Sequence, residues 1–386
     1  MTGTKKSVRA FALAGIAALA LSACGTTGGN SSAGGSSSSS ASGSYTIAYL
    51  GAATGANGAL GQNMIGGVKT ALAAYNATNP SVKVTLKVYD SQGAASQATP
   101  LASQIVANQS VIGLVGPGFS GESKAVNPIF SSAGLPEISP SATEIDLTHS
   151  GWATFHRVVG SDAAQGAADA KYLTNDANAK KVFVIDDSEA YGTGLAKVVQ
   201  QSLPKSAIAG TDHVQVGQTD FSATVTKIKS SGADAVFYGG YYAESGLLVK
   251  QLRNAGWKGT FVSGDGSEDP HFVTVAGASA ANGAILTAAA GPASASFSKQ
   301  YAAANGGQPA GLYSTQAYDA TNVFLAGIKA GDTTRSSLEK FVSSYSGTGE
   351  IGPIKFDKNG DVTEATIYAY TVKNGKLDTT HPTAIK

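Results

Sequence analysis

The side chains able to do chemistry are few in this chain, and their spacing suits holding a molecule better than cutting one. There is one cysteine, Cys24, and there are five histidines: His149, His156, His213, His271 and His381. No two histidines stand at i and i+4 and none has a cysteine beside it, so zinc-ligand spacing is missing. Gly118-Phe119-Ser120-Gly121-Glu122 approaches the G-x-S-x-G nucleophile elbow but ends on Glu. No segment reads G-x-x-x-x-G-K-[ST]. Gly192-Thr193-Gly194 opens a helix without the third glycine of a dinucleotide fingerprint. Asp186-Asp187 follows a strand, where a metal or phosphoacceptor role competes with satisfying the turn into the next helix, and the turn role is favoured. Nucleophile, base and oxyanion donors are not assembled anywhere. An enzyme is therefore not expected, nor a metal, nor a cofactor.

The elements that must position any site alternate regularly. Strands are expected over residues 45–50, 82–89, 111–115 and 136–139, with helices over 65–76, 100–108 and 127–133 between them. A second series opens near Asp162. It has helices over 163–173, 194–203, 221–230 and 247–255, and strands over 181–185, 213–216, 235–238 and 260–262. Residues Ile65, Val68, Leu72 and Tyr75 recur with helical period. Residues 111–115 form a continuous apolar run, which fits a strand covered on both faces. Strands alternating with helices imply βαβ units and parallel sheets. Two such series imply an α/β protein of two doubly wound, Rossmann-like lobes, with a cleft where the carboxyl ends of their strands face each other.

The first 44 residues have a different character. Lys5, Lys6 and Arg9 precede an apolar run from residue 10 to 21. A basic start, an apolar stretch of about a dozen residues and a small-residue end read as a secretory signal. The stretch is too short for a bilayer span, which needs ~20 residues. Leu21-Ser22-Ala23-Cys24 resembles the lipobox of bacterial lipoproteins. That resemblance implies a signal peptide over 1–23 and a diacylglycerol on the Cys24 sulfur, tethering the protein to the outer face of the cell membrane. Residues 25–44 are almost wholly Gly, Ser, Thr, Ala and Asn, including five consecutive serines at 36–40. Such a segment buries no apolar area and is expected to be a disordered leash over 24–44. About 20 such residues have an r.m.s. reach of roughly 25 Å.

Composition excludes further classes. The net charge is +1, only 14% of residues are charged, and no basic block follows the signal. Nucleic acid is thus not expected as a partner. With Cys24 spoken for, no disulfide forms within the chain.

Six segments carry a more specific signal. They are Ile138-Ser139-Pro140-Ser141-Ala142-Thr143, Asp162-Ala163-Ala164-Gln165-Gly166, Tyr191-Gly192-Thr193-Gly194, and Phe221-Ser222-Ala223 followed by residues 235–242. To these add Ile351-Gly352-Pro353-Ile354 and residues 356–361. Together and in this order they resemble the periplasmic-type binding proteins for branched-chain amino acids, the Leu/Ile/Val-binding family that feeds ATP-binding cassette transporters. The resemblance spans about residues 45–376. It implies a type I periplasmic binding protein fold with three crossovers, near Gly160, near Leu286 and around Ile367. The lobes would be 45–160 with 287–367, and 161–286 with 368–386.

The resemblance also implies a site. Ser120 and Thr143 match positions that hold the ligand carboxylate, and backbone groups at Ser141 help with the ammonium. Tyr191, Tyr241 and Tyr313 match aromatic walls. Asp265 matches the carboxylate that pairs with the α-ammonium, often Glu in the family. Leu60 stands where Leu/Ile/Val binders have Tyr, and Phe119 replaces a smaller residue. Physical chemistry agrees with these roles: a zwitterion in a closed cleft needs both charges paired. The expectation is a monomeric extracytoplasmic solute-binding protein. It would capture an amino acid or amide-like solute by lobe closure and deliver it to a membrane permease. The alternative is a sensory protein of the same fold for an amide, urea or aromatic acid.

Overall fold

The computed structural model describes residues 43–385. The expected signal peptide, Cys24 and the leash up to residue 42 lie outside the described residues. The first series of elements is β1 (Ser44–Gly51), α1 (Gly58–Ala77), β2 (Lys83–Asp90), α2 (Ala95–Ala107), β3 (Val111–Val115), α3 (Ser120–Ser132), β4 (Glu137–Ser139) and β5 (Phe155–Arg157). The second is α4 (Asp162–Lys171), β6 (Val182–Asp186), α5 (Ala190–Ser202), β7 (Ile208–His213), α6 (Ser222–Ser231), β8 (Ala235–Gly239), α7 (Tyr242–Asn254), β9 (Thr260–Ser263), α8 (Pro270–Ala276), α9 (Ala278–Ala281) and β10 (Ile285–Ala288). A closing stretch adds α10 (Ala295–Ala304), α11 (Ser314–Ala330), α12 (Arg335–Ser343), β11 (Ser346–Gly349), β12 (Gly352–Lys355), β13 (Tyr368–Lys373), β14 (Lys376–Leu377) and β15 (Thr383–Ala384).

Two main sheets form. The first has the order β2-β1-β3-β4-β5, all parallel. The second runs β7-β6-β8-β9-β10 in parallel and is extended by antiparallel β13, β14 and β15. Each parallel part follows the 2-1-3-4-5 winding, which places a switch point beside its first strand. Burial explains why these residues make central strands. In β1, Ile47 and Tyr49 enter the larger core while Ala48 and Leu50 enter a second core with Ala98, Ala102, Ile105 and Phe130. Both faces are thus covered, as parallel strands require.

The chain leaves the first sheet after β5, returns after β10 and passes again before β13. On the return, α11 packs along α1 and over β3. Arg335 of α12 donates to the carbonyls of Val106, Asn108 and Val111 at 2.9–3.1 Å. All three passages meet at Gly160. A Cβ placed there would lie 2.7 Å from Ala365 Cβ, 3.1 Å from Ala289 Cβ and 3.9 Å from Ile367 Cδ1.

The elements differ from the sequence reading in two ways. Most helices start earlier than expected: α1 at Gly58, α2 at Ala95, α3 at Ser120 and α7 at Tyr242. Their first turns are mostly small or polar, with Leu60 and Tyr242 the large residues, and show no apolar period. In α2 and α3, Pro100 and Pro128 lie inside the helix. The carbonyl that Pro100 cannot bond belongs to exposed Ser96, where water reaches it. The strand expected over 213–216 lies instead at Ile208–His213. It is an edge strand with no fully buried residue, so its apolar signal is weak, while Val216 points to solvent.

Candidate functional site

The carboxyl ends of the parallel strands of both sheets converge on one cavity. It is lined by Leu60, Met64, Gly118, Phe119, Ser120, Ser141, Tyr191, Tyr241, Asp265, Gly266 and Tyr313. Eight of the nine expected ligand-binding residues are in this lining. Thr143, two residues beyond Ser141, is fully buried outside it, and its hydroxyl meets no hydrogen-bond partner. Leu60 and Met64 lie one turn apart on α1. Phe119 and Ser120 follow β3, Ser141 follows β4, Tyr191 begins α5 after β6, and Tyr241 precedes α7 after β8. These are the switch-point positions of the two windings.

The first-sheet side offers hydroxyls and a helix N-terminus. Phe119 precedes α3 without capping it by a side chain, so the first turn's N–H groups are left for other partners. Ser120 Oγ accepts from the Glu144 amide at 3.3 Å. Ser141 Oγ donates to the Gly118 carbonyl at 2.7 Å. Arg157, fully buried, fixes the loop that carries these groups. Its guanidinium donates to the carbonyls of Ala142 and Glu144 at 3.2 and 2.8 Å, and its Nε pairs with Asp361 at 2.5 Å. Glu122, in the first turn of α3, is held by Ser91, and burial pushes its carboxyl up to about 7.

The second-sheet side carries the charge. Asp265 is 2% exposed. Its Oδ1 accepts from the Tyr191 hydroxyl at 2.6 Å, and its Oδ2 accepts from Tyr313. Tyr191 OH in turn accepts from the Gly266 amide at 3.0 Å. Burial pushes the Asp265 carboxyl up to about 6, against the opposing hydrogen bond from Tyr191. Tyr313 reaches Asp265 from the start of α11 with a left-handed backbone, φ 66°. A non-glycine residue held there is strained, a pattern concentrated at functional sites. Gly266 has to be bare: a Cβ would meet the Gly240 carbonyl at 2.6 Å and Tyr191 at 2.8 Å.

The two sides touch directly. Phe119 and Tyr241 pack edge to face with centroids 5.4 Å apart. Tyr242 OH donates to the Ala56 carbonyl at 2.6 Å. The interior left between the walls is about 10 Å³, about what one water occupies. An amino-acid-sized ligand therefore enters only when the walls part.

A family model described as Periplasmic binding protein matches residues 44–376. The chain belongs to that family. Among its relatives is the Leu/Ile/Val-binding protein homolog 3 of Brucella melitensis, 32% identical over 345 residues, covering 86% of this chain and 92% of that one. The chain is also similar to the branched-chain amino acid transporter substrate-binding protein LivJ of Streptococcus pneumoniae, solved in complex with isoleucine. That structure has a TM-score of 0.82 at 27% identity and covers 88% of this chain and 99% of its own. The leucine-binding protein LivK of Thermotoga maritima gives a TM-score of 0.78 at 26% identity, covering 88% and 98%. The type I periplasmic binding protein architecture is thus shared across the whole described body.

Four contributors were not among the expected site residues. Met64 was signalled by its i+4 spacing from Leu60. Gly118 and Gly266 adjoin Phe119 and Asp265. Arg157 carried no local signal, because its partner Asp361 is 204 positions away. The turn role of Asp186-Asp187 is realised: Asp186 accepts from the Ser188 amide and Asp187 from the Glu189 amide, each at 3.0 Å.

Proposed function

We propose that this protein captures a branched-chain or other hydrophobic amino acid between two lobes and presents it to the permease of an ATP-binding cassette transporter. The observation that carries the reading is the single cavity at both switch points, with neutral donors on one wall and a buried aspartate on the other. An amino acid presents opposite charges and a small apolar body, and that wall pairing is complementary to it. Ser120 and Thr143 would serve the carboxylate, and Asp265, with backbone groups at Ser141, the ammonium. Leu60, Met64, Phe119, Tyr191, Tyr241 and Tyr313 would surround the side chain. The crossover expected near Leu286 moves to the end of β10, because Thr287 and Ala288 still pair with β13, so the lobes would be 45–160 with 289–367, and 161–288 with 368–386. A ligand bridging both walls stabilises the closed form by its differential affinity for it.

The protein would act as a monomer, without a cofactor and without catalysis. We further infer that Cys24 carries a lipid and that the residues from 25 up to the start of β1 at Ser44 form a leash to the outer face of the membrane. Labelling cells with a fatty-acid analogue checks this: wild type should take up label and Cys24→Ala should not. Equal label on both would remove the anchor.

Thermal shift against leucine, isoleucine, valine, simple amides and aromatic acids tests the ligand class. A ligand at 100 times its Kd adds about 2.7 kcal/mol to stability. Shifts confined to amides or aromatic acids would replace the amino-acid reading with the sensory one.

A further inference from the structure

The wall that carries Asp265 holds more carboxyl groups than pairing one ammonium requires. Helix α4 buries one face made of Asp162, Gln165, Gly166 and Asp169. Asp162 and Asp169 are fully buried, and no hydrogen bond of full geometry reaches their four carboxyl oxygens, the hydroxyls of Thr143 and Thr287 being the polar groups beside them. Gln165 Nε2 donates to the Thr287 carbonyl and hydroxyl, both at 3.2 Å, while its Oε1 is also unpartnered. Two glycines show how closely these groups adjoin the ligand site. A Cβ on Gly264 would lie 2.6 Å from Tyr191 OH and 3.3 Å from Gln165 Nε2. A Cβ on Gly194 would lie 2.9 Å from Asp162 Oδ2 and 3.2 Å from Glu144 Cγ. Gln165 therefore adjoins the Asp265–Tyr191 pair, and the charge of Asp265 reaches Asp162 and Asp169 on the same face of α4.

No cation in the described residues is free to neutralise this carboxyl cluster. The titratable and charged groups facing it are Tyr191 from α5, Glu144 from the loop after β4, and Arg157 from β5. Asp265 faces it from the loop after β9, with Tyr313 behind it on the other carboxylate oxygen. The one guanidinium, that of Arg157, is taken by Asp361, Thr148 and two carbonyls. An unpaired carboxylate in such a place is too costly, so the group keeps a proton instead. Burial raises Asp162 and Asp169 well above the usual carboxylate range, and the nearby charge of Asp265 raises them further.

We propose that Asp162 and Asp169 are positioning residues for the ammonium end of the site, and that seating an ammonium on Asp265 expels a proton from this carboxyl cluster to solvent. The proposal rests on the amino-acid reading given above. The arriving positive charge lowers the proton affinity of every carboxyl around it. The ligand-free protein then binds more protons than the complex, so affinity falls as pH falls. The limit is about tenfold per pH unit for each proton released. At the opposite wall, Glu122 would take up a proton as the ligand carboxylate arrives, and this opposes the signal. The variant Glu122→Gln removes that contribution.

Isothermal titration of the full-length chain with leucine, isoleucine and valine tests this, in buffers of different ionisation enthalpy at pH about 6.5. Wild type and Glu122→Gln should release about half to one proton per ligand. Release should be larger in Glu122→Gln, and the Kd should rise on acidification. Asp162→Asn and Asp169→Asn should release fewer protons and flatten the pH profile, a readout that a merely structural role would leave in place. Binding with the same heat in every buffer, in both wild type and Glu122→Gln, overturns the proposal and leaves the amino-acid reading intact. That comparison needs no cluster variant to fold. If none of the three amino acids binds in any buffer, the amino-acid reading fails and the proposal falls with it.

Discussion

The two walls of the cleft solve opposite electrostatic problems with different materials. The wall built on β3 and β4 uses hydroxyls and the start of α3, whose N–H groups attract negative charge without carrying a full charge. The wall built on β6, β8 and β9 uses a formal carboxylate, gripped by its own Tyr191 hydroxyl and by the Tyr313 hydroxyl reaching across from α11. Partial charges spread over several groups tolerate losing one of them. A single formal charge does not. The difference teaches that the ammonium end should be brittle and the carboxylate end forgiving.

Asp265→Asn gives the largest expected effect. It keeps the shape of the side chain and removes its charge, leaving a ligand ammonium poorly paired. Losing one partner of a buried, hydrogen-bonded charge pair costs about 2–5 kcal/mol, roughly 30-fold to several-thousand-fold in affinity. Titration with leucine and with its des-amino analogue checks this. If Asp265→Asn bound leucine as tightly as wild type, the polarity assigned to the two walls would be wrong.

Arg157→Ala attacks the forgiving wall through its support. Asp361 is 24% exposed and can recover some hydration, but the Ala142 and Glu144 carbonyls lose their donor. A stability loss of about 3 kcal/mol is expected in a urea melt, at the lower end for breaking a buried pair. Ser120→Ala should weaken ligand affinity by about 1.5–3 kcal/mol at most, since neighbouring donors compensate in part. Asp265→Asn should therefore exceed it in the same titration, and the reverse order would invert the comparison.

Thr143→Val should produce the smallest effect on the fold. The Thr143 hydroxyl makes no hydrogen bond of full geometry, its polar neighbour being the Asp162 carboxyl, so removing it should change stability by about 1 kcal/mol or less. If the same variant also left affinity unchanged, Thr143 would have no part in holding the carboxylate.

Much of this arrangement was legible in the chain, and the parts that were not share a cause. The apolar run over 111–115 announced a strand covered on both faces, and the strand expected over 181–185 lies at Val182–Asp186; both are fully buried. The resemblance placed Ser120, Tyr191, Tyr241, Asp265 and Tyr313, and the fold brings them to one cavity. Helix starts were hidden because Gly58, Ala95 and Ser120 begin their helices without an apolar rhythm. The edge strand at Ile208–His213 was misplaced because an edge buries little. Arg157 was invisible because long-range pairing leaves no local pattern. The polar face of α4 was hidden for the opposite reason: polar types such as Asp162, Gln165 and Asp169 announce no burial, yet tertiary packing turns them inward.

The meeting of three chain passages at Gly160 has a mechanical consequence. Two bodies joined by one strand tumble freely, and joined by two they still twist. Under the proposed lobe closure, three links gathered around one glycine would favour a single easy rotation, as in a door hung on one pin. Each encounter with a solute would then sample a sweep along one arc instead of a search over many orientations. On the microsecond-to-millisecond scale usual for such swings, the side chain absent at position 160 keeps the bearing clear.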